Sequence, residues 1–252
     1  MANPKRLRAA LLASVAASAT MVPGTAGSAA AAGCGPVIDK VTVRDVVLYQ
    51  SSTSSTTTTV AAHDPCSDGS RAPGIARVSG QAFLSDGSWW DLTYKAESAA
   101  TWTGSSGARF GAKSALGKGQ QVVEVTDSEG NTVYRDTLPF YVRRNVTVSS
   151  FNASPEPVRK GSYVTMSAVV KRLTVSSSGA RSYVPYKSHA VSTYFRPLTS
   201  KTYSKVGSAT TSSTGQVSAR FRATVDGCWK VLSVQTSQHV AAWSSADCVD
   251  VR

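Results

Sequence analysis

Beyond residue 32 the chain carries 29 valines against 8 leucines, and only four glutamates. Val and Thr branch at Cβ and fit a pleated surface, whereas helices draw on Leu, Glu, Lys and Ala. The ratio excludes a helical protein and predicts an all-β fold. Ser and Thr, 38 and 25 of the 252 residues, lean the same way. With 41% hydrophobic and 17% charged residues there is material for the core of one large or two ordinary domains, and disorder is not expected.

Alternation places the strands. From Val217 to Val225 every odd position is apolar and every even one polar, the period of a half-buried strand. Val164, Met166, Ala168 and Val170 repeat the pattern, and Trp229 to Val234 follows an Asp226-Gly227 turn signal. Earlier in the chain, Val41 to Tyr49 is β-prone. Ser85-Asp86-Gly87-Ser88 and Asp127-Ser128-Glu129-Gly130-Asn131 mark hairpin turns, the second joining Val122–Val125 to Val133–Val142. The Ser/Thr run from Ser51 to Thr59, flanked by apolar residues, reads as a strand and not as a tether. Strands at this spacing with no trustworthy amphipathic helix predict antiparallel sandwiches of the immunoglobulin type.

Residues 1–32 read as a cleaved Sec signal peptide: Lys5, Arg6 and Arg8, an apolar run from Ala9 to Val22, then Ala30-Ala31-Ala32. The run of about 14 residues is too short to span a bilayer core, so a secreted, extracellular chain that does not cross the membrane is expected. The remainder divides by charge. Residues 33–146 carry eleven side chains of each sign; residues 147–252 carry thirteen Lys or Arg against four acids, a surplus of nine. The boundary falls near Arg143-Arg144-Asn145-Val146, which predicts a neutral N-terminal sandwich over 33–146 and a basic C-terminal one over 147–252.

An even number of cysteines in an exported chain predicts disulfides. Pairing within each half joins Cys34 to Cys66 and Cys228 to Cys248. The second pair lies equidistant from Gln238, so a hairpin turning near Ser237-Gln238-His239 sets the two on adjacent strands. There is no Cys-x-x-Cys, and His63, His189 and His239 are scattered, so no metal site is expected.

The stretch Ala153-Ser154-Pro155-Glu156-Pro157-Val158-Arg159-Lys160-Gly161 resembles the opening of an immunoglobulin-like domain of secreted actinobacterial proteins. Tyr203 to Gly207, Thr211 to Gly215, Asp226 to Lys230 and Asp247 to Val251 follow in that family's order, covering about the last hundred residues. The N-terminal half resembles the companion domain through its Thr-rich strand before Asp64-Pro65 and its turn at Asp127. The resemblance implies tandem Ig-like sandwiches, in a group whose members mostly lack an assigned activity and in part carry a calcium-binding label. Cys228 and Cys248 are an addition to the family's pattern.

Catalytic signals are sparse. No Gly-x-Ser-x-Gly elbow occurs. His63 beside Asp64 is the best base in the chain, but it reads as an exposed turn residue. Gly111 to Gly119 has the wrong spacing for a phosphate-binding loop. Asp64 with Asp68, or Asp127 with Glu129 and Asn131, offer oxygens for calcium, yet these residue types are also what tight turns use. Trp89, Trp90 and Trp102 are read as core, with a sugar-stacking platform as the alternative. The sequons at Asn145 and Asn152 are set aside as chance.

The physical clue is the basic half. Arg220 and Arg222 share one strand face, and Lys187, Arg196, Lys201 and Lys205 interleave with Tyr186, Tyr194, Phe195 and Tyr203, a pattern that attracts polyanions. The expected function is a secreted, non-enzymatic binding or adaptor protein using these six cations, without a cofactor. Its partner is another secreted or surface protein, as in a toxin- or lectin-containing assembly. An anionic cell-wall polymer or glycan is the alternative ligand and a calcium-binding role the remote one; no specific nucleic-acid binding is expected.

Overall fold

The computed structural model describes residues 36–51, 54–63, 75–98, 101–106, 110–127 and 129–252. The export signal, Cys34, Cys66, Asp64, Asp68 and the side chain of Trp102 lie outside the described residues. What is described is all-β, with no helix among the described residues.

The first eight strands are β1 (Val37–Val43), β2 (Val46–Leu48), β3 (Thr57–His63), β4 (Ile75–Phe83), β5 (Trp89–Ser98), β6 (Thr101–Ser106), β7 (Gly117–Asp127) and β8 (Thr132–Arg144). They form one sheet in the order β1-β3-β6-β5-β4-β7-β8-β2. Its two edges are the same stretch of chain: β1 runs antiparallel to β3, and after Arg44-Asp45 the chain rejoins as β2, parallel to β8. Edges linked by so short a step force the sheet to curl. Val60 of β3, Val123 and Val125 of β7 and Phe140 and Val142 of β8 accordingly meet in one core, the layering of an immunoglobulin-like sandwich. Both expected hairpins are present, β4 to β5 through Ser85–Ser88 and β7 to β8 with Val125 opposite Tyr134. Among the described residues of the Ser/Thr run, only the end belongs to a named strand. Thr57 opens β3, Thr56 and Thr58 are buried, and Ser54 makes an isolated bridge to Phe110.

The second half comprises β9 (Val146–Ser154), β10 (Tyr163–Val175), β11 (Arg181–Pro185), β12 (Ala190–Pro197), β13 (Ser204–Thr210), β14 (Gln216–Arg222), β15 (Gly227–Ser233), β16 (Ala242–Trp243) and β17 (Asp247–Val249). One sheet centres on β10, flanked by β9 on one side and by β14 and β11 on the other; the second runs β13-β12-β15, with β16 and β17 both on β15. Val164, Met166, Ala168 and Val170 all face inward and are buried, as their alternation predicts. On β14, Val217 is buried and Phe221 packs 5.3 Å from Trp229, but the strand stops at Arg222 and Val225 is 49% exposed where the chain turns toward β15. A bulge in β9 pairs Ser149 with Val169 and Asn152 with Ser167, and Ser150 adopts a φ of 51° there. The extra residue turns Phe151 toward the core. Cys228 and Cys248 are direct cross-strand partners on β15 and β17, and they form the disulfide expected of them.

Only Asn145 separates β8 from β9, and three of its polar groups are engaged. Its N–H donates to Leu48 O (3.0 Å), its carbonyl accepts from Leu173 N (3.0 Å), and its Nδ2 donates to Tyr183 Oη (2.8 Å). The amide of this sequon is therefore committed to the junction. Arg143, 5% exposed, ion-pairs with Asp45, donates Nε to Thr236 O (3.0 Å) and lies 4.0 Å over the Tyr141 ring. Arg144 completes the clamp on the 236–240 loop, donating its N–H to Gln238 O (2.8 Å) and accepting from Val240 N (3.1 Å). Arg143→Ala should cost about 2 kcal/mol in denaturant unfolding. That is less than for a fully buried pair, because Asp45 is 43% exposed and regains water. A loss below a few tenths of a kcal/mol would show that the clamp contributes nothing to stability.

Candidate interaction face

Strand period decides which cations share a face. Phe195 of β12 points inward, with its ring 4.5 Å from Trp229, so its neighbours Tyr194 and Arg196 point outward. Register carries the pattern sideways: Lys205 of β13 and Lys230 of β15 both lie directly opposite Tyr194, forming the rung Lys205–Tyr194–Lys230. One rung away, Arg196 faces Cys228 and its disulfide. On the other side Trp243 of β16, 51% exposed, pairs with Leu232 and sets its ring edge-on to Tyr194 at 4.8 Å.

Aromatic rings hold the cations. Lys230 Nζ lies 5.0 Å and the Arg196 guanidinium 5.3 Å from the Tyr203 ring centre, distances at which the ring quadrupole attracts a positive charge. Arg196 is also structural, donating Nη1 to Ser200 O (2.6 Å) and Nη2 toward Cys228 Sγ (3.5 Å), so it ties the 198–203 loop to the disulfide. Among the described residues no carboxylate ion-pairs with Arg196, Lys205 or Lys230. The face thus presents positive charge that no carboxylate offsets, set among half-buried Tyr194 and Tyr203 and exposed Trp243, a composition suited to an acidic surface.

The six cations singled out in the sequence do not form one face. Arg196 and Lys205 lie on this sheet, and Lys201 is exposed in the adjoining loop. Arg220 and Arg222 lie on the outer face of the opposite sheet, about 10 Å of core away. There they flank Tyr163 at 4.7 and 5.1 Å, and Arg222 Nη1 donates to Gly161 O (3.2 Å). Lys187 lies three residues before β12 begins at Ala190, and Arg196 lies about 20 Å of strand rise beyond that start. Lys230 and Trp243 escaped sequence reasoning. The signal for Lys230 was its place beside inward Trp229; for Trp243, an indole alone in a small, polar stretch.

Several of the remaining candidates take structural roles. His63 Nδ1 lies 2.7 Å from Asp39 Oδ1 on the exposed β1–β3 pair. Asp127 accepts from the N–H groups of Glu129 (2.9 Å) and Asn131 (2.8 Å) and from Asn131 Nδ2 (3.1 Å), and these bonds, the side-chain one foremost, hold its carboxyl below its ordinary pKa. That is hairpin-turn chemistry. Trp90 is core, 5.0 Å from Phe110, whereas Trp89 is 49% exposed.

No family model matches the chain, and no curated protein matches it. Solved structures with related architecture include a DUF4785 family protein from Legionella pneumophila, at 11% identity and TM-score 0.40, covering 79% of this chain and 56% of that one. Fibronectin(III)-like modules of Clostridium thermocellum CbhA share 11% identity at TM-score 0.35, covering 86% and 92%. A tandem repeat from the extending region of a large adhesion protein shares 14% at TM-score 0.29, covering 84% and 50%.

Proposed function

We propose that the chain is an exported, non-catalytic binding module that docks an acidic protein surface against the β13-β12-β15-β16 face. The observation that carries this reading is the rung Lys205–Tyr194–Lys230, two unpaired lysines astride a ring, with Trp243 exposed beside it. A central aromatic anchor within a positive rim is the usual makeup of an interface that steers its partner by charge and holds it by burial. Export is supported by the basic, apolar and small-residue order of residues 1–32 and by the Cys228–Cys248 disulfide. The described residues contain no helix long and apolar enough to cross a membrane.

The test uses two charge reversals on opposite sheets of the chain without residues 1–32. On immobilised poly-L-glutamate, Lys205→Glu with Lys230→Glu should weaken retention about tenfold at low salt, while Arg220→Glu with Arg222→Glu should leave most of it. Retention that survives the first pair and collapses with the second would transfer the function to the Tyr163 face. Retention indifferent to salt would refute the electrostatic account. Tight salt-sensitive binding to purified cell walls, with none to poly-L-glutamate, would favour an anionic wall polymer over a protein partner.

A further inference from the structure

The N-terminal half carries a second face of different chemistry. The outer residues of β5, β4, β7 and β8 line up in rungs across the sheet: Trp89–Phe83–Gln120–Pro139, then Asp91–Gln81–Val122–Thr137, then Ser79–Glu124–Arg135. Arg77, Gln81, Asp91, Val122, Glu124 and Arg135 line a hollow of about 560 Å³, within the size range of small-ligand sites. Its lining differs from that of the basic face. Two guanidiniums, Arg77 and Arg135, balance two carboxylates, Asp91 and Glu124, so a polyanion gains no net attraction there. Gln81 Nε2 donates to Asp91 Oδ1 (2.9 Å), and Glu124 lies 3.7 Å from Arg135 and accepts from Thr132 Oγ1 (3.5 Å), so the polar groups are pre-oriented by one another.

We infer that this hollow binds a neutral oligosaccharide. Hydroxyl groups both donate and accept, and a lattice of planar carboxylate, amide and guanidinium groups offers both roles side by side. Trp89, 49% exposed, lies two rungs from Arg135, about 13 Å along the strands, the length of a short oligosaccharide. Its indole supplies the flat apolar surface on which the C–H face of a sugar ring rests. Phe83 at the neighbouring position extends that platform. The site shares no residue with the acidic-partner face, so either can fail without the other.

Calorimetric titration with cellotetraose, chitotetraose, xylotetraose and mannotetraose tests the inference. At least one should bind with a millimolar or tighter Kd, with Trp89→Ala and Asp91→Ala each weakening it about tenfold and Lys205→Glu with Lys230→Glu leaving it unchanged. Both substituted side chains are exposed, so thermal unfolding of the variants should match the parent and separate lost binding from lost fold. Failure of all four sugars to bind at millimolar concentration would overturn the site. Binding that persists in both N-terminal variants, or that moves only with the lysine reversals, would do so too.

Discussion

Acidifying the chain from pH 6.5 toward 4 should lower its unfolding free energy by on the order of 3 kcal/mol through His239 alone. The ring is 4% exposed, and burial first, then the positive charges of Arg172 and Arg144 and the ring of His189, push its pKa down to about 4. His189, itself pushed down by burial, stacks 3.8 Å from Tyr186, whose Oη lies 3.3 Å from His239 Nδ1. The Nε atoms of both Arg144 and Arg172 are buried without a hydrogen-bond partner, so a third cation among them meets no anion. The sign follows from proton counting. Between pH 6.5 and 4 the unfolded chain holds a proton on this ring and the folded chain does not, so stability present above 6.5 is lost as pH falls. Denaturant unfolding at several pH values should show the loss in the parent chain and a flatter profile in His239→Gln. Superimposable profiles would mean that the ring is protonated at little cost.

Removing the disulfide with Cys228→Ser and Cys248→Ser should destabilise the C-terminal half by about 3 kcal/mol, the loop-closure entropy of a bridge with sequence separation 20. A local consequence should accompany the global one. Arg196 holds the 198–203 loop against Cys228, and Tyr203 in that loop carries both Arg196 and Lys230. Hydrogen exchange should therefore rise in the 198–205 segment as well as in β17. Equal stability with and without the bridge would mean that the pairing of β15 with β17 holds the end of the sheet by itself.

Much of the strand layout follows from local pattern, because period two needs only neighbouring residues. Val164 to Val170, the hairpins at Ser85 and Asp127, and the meeting of Cys228 with Cys248 were legible for that reason. The candidate face was not, since it depends on register between strands far apart in sequence. Lys205, Tyr194 and Lys230 share a rung only because β12 lies between β13 and β15. Counting charge also treats every cation alike. Of the C-terminal surplus, Arg172 has a buried Nε and sits 5.3 Å from the Tyr186 ring, and Arg196 is largely spent on Ser200 and the disulfide. The +9 of composition therefore overstates what the molecule offers a partner. Likewise the switch of β1 and β2 between the two edges of one sheet has no sequence mark beyond Arg44-Asp45.

The proposed docking of an acidic surface involves one face of the C-terminal half and not the opposite sheet. Backbone amide chemical-shift mapping during titration with poly-L-glutamate tests it most directly. The predicted result is a contiguous set of shifts at Tyr194, Lys205, Lys230 and Trp243 that disappears at high salt. Shifts gathered around Tyr163, Arg220 and Arg222, or spread evenly over both sheets, would contradict it.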